Sequence, residues 1–174
     1  MNFKRFLRKP VGIISLAVIL AAVAVLAFST HKSPQTSSQE GTTMSQTELP
    51  SVSATAGEAP VISKPAGTPP EALVTKDIIE GNGAAATSAS TVTAQYVLMS
   101  WKTGTVIQSS WSQGPATFPL SAVIPGWQQG IPGMKVGGRR LLVVPPALGY
   151  GAAGSGPVGP NETLVFVVDL VAVK

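Results

Sequence analysis

Residues 123–133 read VIPGWQQGIPG and contain the only helix signal in residues 73–174. A proline and a glycine stand on each side of this signal, at 125–126 and at 132–133. Both residue types mark the ends of regular elements, so the pattern predicts one short helix around Trp127 to Ile131. The remainder of the fold has to come from the segments on either side of this helix.

Those flanking segments are typical of β-strands. Val92–Trp101 is rich in β-forming residues, and residues 102–104, KTG, predict a hairpin turn after it. Leu141–Val144 reads as a shorter strand that ends at two prolines. Leu164–Val171, LVFVVDLV, is apolar on nearly every position, which predicts a central strand buried on most of both faces. We therefore predict an α+β domain over residues 73–174, with an antiparallel sheet and one short helix.

The chain carries 12 basic and 8 acidic residues, a formal net charge of +4. Lys4, Arg5, Arg8 and Lys9 precede every acidic residue, and the rest of the chain is neutral overall. The excess therefore belongs to a basic flank over residues 1–10 and does not indicate a nucleic-acid partner. Arg139–Arg140 is the only basic pair in the predicted domain, and we expect it to be a solvated edge.

An uncharged apolar stretch, VGIISLAVILAAVAVLAF, follows the basic flank at residues 11–28. Its 18 residues would span about 27 Å as a helix, close to the hydrocarbon thickness of a bilayer. The stretch predicts either a transmembrane anchor or the h-region of a cleaved signal peptide. In both cases the positive flank stays in the cytoplasm and the rest of the chain is exported.

Residues 29–72 are rich in Ser, Thr and Pro and contain few large apolar side chains. Burial of so few apolar groups does not offset the entropy of ordering the chain, so we predict a disordered linker here. His31, the single histidine, lies at the start of this linker, and we expect it to be solvated.

The residue inventory excludes most catalytic chemistries. The chain has no cysteine and one histidine, which removes thiol nucleophiles, Cys-ligated zinc and multi-histidine metal sites. Residues 149–154 match the G-x-G-x-x-G pattern, but Ser155-Gly156-Pro157 cannot begin the helix that a dinucleotide site needs. We therefore expect neither a metal nor a cofactor.

One reaction that needs no acid, base or nucleophile is rotation about a prolyl amide. Its barrier of about 18–20 kcal/mol arises from the loss of C–N resonance. The twisted amide is less polarised than the planar one, so a dry apolar pocket stabilises the twisted amide relative to the planar amide. Hydrogen bonds that position the peptide complete the requirement.

Residues 92–171 resemble an FKBP-type peptidyl-prolyl isomerase, in the form common in actinobacteria. The resemblance rests on ordered sequence blocks, above all V-I-P-G-W at 123–127 and the proline–tyrosine–glycine turn. The other blocks are Tyr96 with its strand, residues 105–110, Phe118-Pro119-Leu120, residues 130–134 with Gly137, residues 141–146 with Gly149-Tyr150-Gly151, and residues 160–166. The family's fold, a five- or six-stranded antiparallel sheet wrapped around one short helix, agrees with the fold predicted above.

The resemblance also implies a site. Trp127 would form the floor on which a substrate proline ring lies, and the Ile124 N–H and the Tyr150 hydroxyl would bind substrate carbonyls. The resemblance assigns the pocket walls and rim to Tyr96, Ile107, Gln108, Phe118, Val123 and Phe166.

The chain departs from the family pattern at three positions. Ile107-Gln108 replaces the usual Phe-Asp, and Ala116 stands where eukaryotic members carry an aromatic wall residue. The loss of the aromatic side chain and the carboxylate predicts reduced isomerase activity and weak binding of macrolide inhibitors. These substitutions keep a second interpretation open, a proline-binding or chaperone module with negligible turnover.

The sequence as a whole thus predicts a peptidyl-prolyl isomerase that assists the folding of exported proteins. Its partners would be proline-containing segments of those proteins and a membrane, through residues 11–28. We expect a monomer, held at the cell membrane with the domain outside or secreted after signal cleavage.

Overall fold

The computed structural model describes residues 47–174. The predicted basic flank at 1–10, the predicted anchor or signal segment at 11–28 and the first part of the predicted linker lie outside the described residues. Between Thr47 and Lys174, no helix combines the length and apolar character needed to cross a membrane.

The described residues contain a six-stranded antiparallel sheet and one short α-helix, which confirms the predicted α+β architecture. The strands run in the order β1-β5-β6-β2-β3, and β4 also pairs with β2. The helix α1 begins two residues earlier than predicted because Pro125 takes the first helical position, where its missing N–H costs nothing. The elements are β1 (Val74–Ile79), β2 (Thr91–Ser100), β3 (Val106–Ser109), β4 (Ala116–Pro119), α1 (Pro125–Gly130), β5 (Arg139–Val144) and β6 (Leu164–Val173), with 3₁₀ turns at Leu120–Ala122 and Pro146–Leu148.

Strand β6 lies between β5 and β2, as its apolar pattern predicts. Alternate residues of the strand enter two separate cores. The face toward α1, here called the inner face, holds Leu164, Phe166, Val168 and Leu170 of β6. The opposite outer face holds Val165 and Val167, packed with Met99, Trp101, Leu141 and Val143.

Two glycines allow α1 to approach the inner face closely. A Cβ atom on Gly126 would lie 2.5 Å from Cγ1 of Val144, and one on Gly130 would lie 2.5 Å from Cδ2 of Leu142. Real Cβ atoms do not approach other atoms this closely, so larger residues would push α1 away from β5. The two glycines therefore set the distance between α1 and the sheet. The position of Trp127 on α1, and of the pocket around it, depends on this distance.

The outer face is covered by residues 47–72, which we call the strap. Two isolated β-bridges, Glu48 to Ala66 and Val52 to Ile62, fold the strap back on itself. Leu49, Val52 and Ile62 pack against the outer core. The described part of the predicted disordered linker thus has defined contacts. Its few apolar side chains cannot form a core alone, but they can cover an apolar face that the sheet already provides.

The expectation that Arg139 and Arg140 form a solvated edge is wrong. The Arg139 side chain is 0% exposed and pairs with Asp169, with Nε to Oδ1 at 2.6 Å and Nη2 to Oδ2 at 2.7 Å. Arg140 forms a similar pair with Asp77, with Nε to Oδ1 at 2.6 Å. The physical reason is strand register, because Arg139 of β5 lies directly opposite Asp169 of β6. Arg139 and Asp169 are 30 residues apart, so their positions in the sequence do not indicate that they pair.

Arg139 also holds the strap against the domain. Its Nη1 donates to the carbonyl of Ser53 at 2.9 Å, and its Nη2 donates to the carbonyl of Glu58 at 2.6 Å. The guanidinium carbon lies 5.9 Å from the centroid of the Trp111 ring, within range of a cation–π contact. The strap therefore supplies backbone acceptors for a charge that would otherwise be buried with one partner.

Candidate active site

A cavity of about 290 Å³ opens on the inner face, between β2, β4, the start of α1 and the turn that follows β5. Eight of the nine site residues implied by the sequence line it, together with Leu98 and Ala122. The lining residues are Tyr96, Leu98, Gln108, Phe118, Ala122, Val123, Ile124, Trp127, Tyr150 and Phe166.

Four aromatic side chains from different elements form the interior of this cavity. The Trp127 ring centroid lies 5.7 Å from those of Tyr96 and Phe118 and 5.5 Å from that of Phe166. Each of the three rings stands nearly perpendicular to the indole, at 80–86°. Such edge-to-face contacts are a preferred aromatic geometry and hold Trp127 from several sides. The result is a rigid apolar surface whose central ring cannot turn without moving its neighbours.

Trp127 itself is 4% exposed, and its indole Nε1 is buried without a hydrogen-bond partner among residues 47–174. A buried N–H without a partner normally costs stability. A purely apolar ring at position 127 would avoid that cost, yet the residue at this position is a tryptophan. Its large flat surface is suited to contact with a small apolar ring, such as that of proline.

The backbone at the start of α1 presents a free donor at the cavity. Ile124 is the N-cap of the helix, and its carbonyl accepts hydrogen bonds from the N–H groups of Trp127 at 2.9 Å and Gln128 at 3.2 Å. Its own N–H donates to no group within the described part of the chain. The first N–H groups of a helix lack intrahelical partners, so this position is able to bind an external carbonyl.

Tyr150 supplies a second polar group, from the turn after β5. Three backbone hydrogen bonds hold this turn, from Gly149 and Gly151 to the Pro146 carbonyl at 3.0 and 2.9 Å, and from Asn161 to the Gly151 carbonyl at 3.0 Å. The Tyr150 side chain is 38% exposed at the cavity edge. Its hydroxyl can therefore reach a bound peptide while the turn keeps the ring in place.

A β-bulge decides how β3 contributes to the cavity. Gln108 pairs with Leu98 and Val106 pairs with Met99, so Ile107 is the additional residue on β3. The bulge leaves Gln108 on the cavity side, whereas Ile107 packs against the inner core and is not among the lining residues. Bulges often redirect side chains next to active sites. The sequence implied both residues for the pocket, and the structure brings only Gln108 into it.

Leu98 and Ala122 are lining residues that the sequence reasoning missed. Leu98 lies two positions after Tyr96 on β2, so the strand period places both on one face. Ala122 directly precedes Val123 at the end of a 3₁₀ turn. The period-2 pattern could have identified Leu98, whereas nothing in the sequence marks Ala122.

The cavity lining carries no carboxylate, imidazole or amine, and its polar side-chain groups are two hydroxyls, one amide and the indole N–H of Trp127. Burial in the wall raises the pKa of the Tyr96 hydroxyl above its ordinary value, and the nearby Tyr150 raises it further. Tyr96 is therefore protonated throughout the physiological pH range. The site can bind and orient a peptide, but its side chains offer no group that would transfer a proton near neutral pH.

Similarity to known proteins extends over the residues that form this cavity. The sequence model of a family described as FKBP-type peptidyl-prolyl cis-trans isomerase matches residues 83–171, a range that includes every residue lining the cavity. The strap and β1 precede this range.

Curated relatives and a solved structure extend the match. The chain is 49% identical over 116 residues to a probable FK506-binding protein of Corynebacterium glutamicum, covering 66% of this chain and 98% of the relative. It is 50% identical over 121 residues to an FK506-binding protein of Streptomyces anulatus, covering 67% and 98%. The crystal structure of FkpA from Escherichia coli superimposes with a TM-score of 0.56 at 40% identity, covering 59% of this chain and 48% of that one.

Proposed function

Because the chain belongs to the FKBP-type peptidyl-prolyl cis-trans isomerase family, we propose that the aromatic cavity on the inner face binds and isomerises X-Pro bonds. The enzyme class follows from the family. The observation that supports this location is the enclosure of Trp127 by three nearly perpendicular rings in a cavity lined by no carboxylate, imidazole or amine. Prolyl rotation is a reaction that such a cavity suits.

The proposed mechanism uses exclusion of water. The substrate proline ring lies on Trp127, between the rings of Tyr96, Phe118 and Phe166, and the cavity of about 290 Å³ has room for little more than that residue and its nearest neighbours. The planar amide is strongly polarised and loses solvation in the cavity, whereas the twisted amide has less charge separation to solvate. Because the planar amide loses more solvation in the cavity than the twisted amide does, the barrier of about 18–20 kcal/mol for rotation is lowered.

Two donors orient the peptide in this proposal. The Ile124 N–H and the Tyr150 hydroxyl each bind a carbonyl group of the substrate, and together they hold the peptide with its proline ring on Trp127. Val123 and Phe166 supply wall area, and Gln108 supplies an uncharged amide at the rim. Fixed donors of this kind reduce the entropy lost on reaching the twisted state.

The amide of Gln108 favours weak rather than strong inhibitor binding. A carboxylate accepts shorter and stronger hydrogen bonds than an amide does. We propose that the Gln108→Asp variant binds macrolide inhibitors more tightly than the unmutated enzyme and turns over prolyl peptides faster. Unchanged inhibitor affinity in that variant, measured by isothermal titration calorimetry, would show that position 108 does not limit binding.

A prolyl isomerisation assay tests the activity of the cavity. The full-length chain is purified in a mild detergent, because of the apolar stretch 11–28, and assayed with a Xaa-Pro peptide. We expect acceleration well above the uncatalysed rate, a loss of most of it in Trp127→Ala and no change in Val171→Ala, an exposed position on β6. A rate near background for the unmutated chain, with peptide binding retained, would instead support the proline-binding module.

We further propose that the enzyme acts on proline-containing segments of exported proteins at the outer side of the cell membrane. The support is the basic flank at 1–10 followed by the apolar stretch at 11–28. The described part of the predicted linker, residues 47–72, packs on the domain and therefore does not act as a spacer. Protease treatment of intact cells tests the placement: digestion of the domain supports it, whereas protection until the cells are lysed contradicts it.

A further inference from the structure

The donor at Ile124 belongs to a peptide unit whose other end is held by a side chain. The Nε2 of Gln128 donates a hydrogen bond to the carbonyl oxygen of Val123 at 2.7 Å. The Val123 carbonyl and the Ile124 N–H are parts of one planar trans peptide and point in opposite directions. A bond that fixes the carbonyl therefore also fixes the direction of the N–H.

This peptide unit has little else to hold its orientation. Val123 is the C-cap of the 3₁₀ turn and Ile124 is the N-cap of α1, and neither element has a side-chain cap at its N-terminus. Ser121, Ala122 and Pro125 around it are exposed. Opposite rotations of ψ at Val123 and φ at Ile124 would turn the peptide plane without moving the flanking segments. Pro125 restricts Ile124 to extended ψ values but leaves its φ free to change.

We propose that Gln128 is a positioning residue for catalysis, which holds the Ile124 N–H in the direction needed to bind the substrate carbonyl. The inference rests on the proposed function, because that function assigns the Ile124 N–H to substrate binding. Gln128 acts through the peptide and does not line the cavity. Its position on the first turn of α1 connects the helix that carries Trp127 to the loop that carries the donor.

The chemistry of the hydrogen bond between Gln128 and the Val123 carbonyl allows a substitution that removes this bond selectively. The partner is a carbonyl, so the side chain at 128 has to donate, which an amide does and an ionised carboxylate cannot. Gln128→Glu thus removes the bond at nearly constant size and places two acceptors face to face. The matched control is Gln129→Glu, since Gln129 is exposed on the same helix and its side chain makes no hydrogen bond among residues 47–174. Gln128→Lys restores a donor.

The test compares these full-length variants by isomerase kinetics, thermal unfolding and the backbone amide signal of Ile124 in NMR spectra. We expect Gln128→Glu to lower kcat/KM about three- to ten-fold, the range for loss of one well-placed neutral hydrogen bond. Its Ile124 amide should exchange faster with solvent and show a broadened signal. Gln129→Glu should match the unmutated chain in all three measurements, and Gln128→Lys should recover part of the activity.

Two results would overturn the inference. One is equal kcat/KM in Gln128→Glu and Gln129→Glu, and the other is an Ile124 amide signal that the Gln128 variants leave unchanged. Should Gln128→Glu unfold, Gln128→Ala provides the same comparison without added charge. An inactive unmutated chain would contradict the proposed function instead, and the Ile124 signal would then still decide whether Gln128 orients the peptide.

Discussion

The two faces of the sheet are formed by the same strands but have different roles. On the inner face, β2 and β6 pack against a helix of six residues and leave a cavity of about 290 Å³. On the outer face, the strap closes over β2, β5 and β6, and the one buried charge there has four hydrogen bonds. Adjacent residues of one strand therefore serve an open site and a closed core.

The two faces also differ in how their backbone and charged groups are paired. The inner face retains an indole N–H without a partner and a free backbone N–H at Ile124. The outer face satisfies the guanidinium of Arg139 with a carboxylate and two carbonyls, while the indole Nε1 of the neighbouring Trp111 is also buried without a partner among residues 47–174. Polar groups left without a partner cost stability but remain available to a ligand. We expect substitutions on the outer face to change stability alone and those on the inner face to change activity.

The largest expected effect comes from Arg139→Met, which breaks the buried pair on the outer face. Asp169 and two strap carbonyls would lose their partner, and breaking a buried ion pair typically costs about 3–5 kcal/mol. Urea unfolding measures the loss, and kcat/KM under conditions where the variant is folded should stay unchanged. The double variant Arg139→Met/Asp169→Leu should regain much of the stability because no charge remains buried. A loss below about 1 kcal/mol in the single variant would mean that the strap is not held by Arg139.

Two separate single substitutions at adjacent positions of β6 test the division between the faces directly. Phe166→Ala and Val167→Ala both remove buried volume, and Phe166→Ala should cost about 3–5 kcal/mol of unfolding free energy, with a smaller loss for the smaller valine. Only Phe166 lines the cavity, so only Phe166→Ala should lower kcat/KM when both variants are assayed below their melting temperatures. Equal losses of activity in the two variants would contradict the division.

Tyr150→Phe should affect activity without affecting the fold. Tyr150 lies at an exposed edge of the cavity, and removal of its hydroxyl would delete the one hydrogen bond to the substrate that the proposed mechanism assigns to it. We expect kcat/KM to fall about three- to ten-fold, mainly through KM, with the melting temperature unchanged. A change in melting temperature with unaltered kinetics would assign Tyr150 to the structure of the turn instead.

The smallest expected effect is a dependence of stability on alkaline pH, arising on the inner face. The pKa of Tyr96 is raised in the folded chain, first by burial and then by Tyr150. Its contribution to stability is therefore fully present below the unfolded value of about 10 and is lost as the pH rises through the folded pKa. Urea unfolding between pH 8 and pH 11 should show this decline. Tyr96→Phe should reduce its slope, and an identical slope would exclude Tyr96 as the cause.

Much of the fold follows from patterns along the chain. The alternation in β6, the hairpin signal after β2 and the proline–glycine pairs around α1 each depend on near neighbours. The sequence reasoning missed β1 and β4, which are short strands with exposed residues. Edge strands lack the strong apolar pattern that marks a central strand, so their identity depends on the strand beside them.

The candidate site was predictable to a large extent because its residues occur in sequence blocks that resemble a known family. Eight of nine implied residues line the cavity. Ile107 does not, because the bulge at that position is set by the pairing with β2 rather than by the residues of β3. Gln128 was not predicted either, since its partner is a backbone carbonyl that becomes a neighbour only when the loop and helix are folded.

The sequence by itself determined the α+β class, the family and the absence of thiol and multi-histidine chemistry, because composition, periodicity and ordered motifs are local properties of the chain. The tertiary structure decided that the strap is part of the domain and that Arg139 is buried. It also decided that Gln108 rather than Ile107 reaches the cavity. These outcomes depend on strand register and on contacts between residues far apart in sequence. The apolar outer face and the pairing of Arg139 with Asp169 arise only after β5 and β6 are aligned.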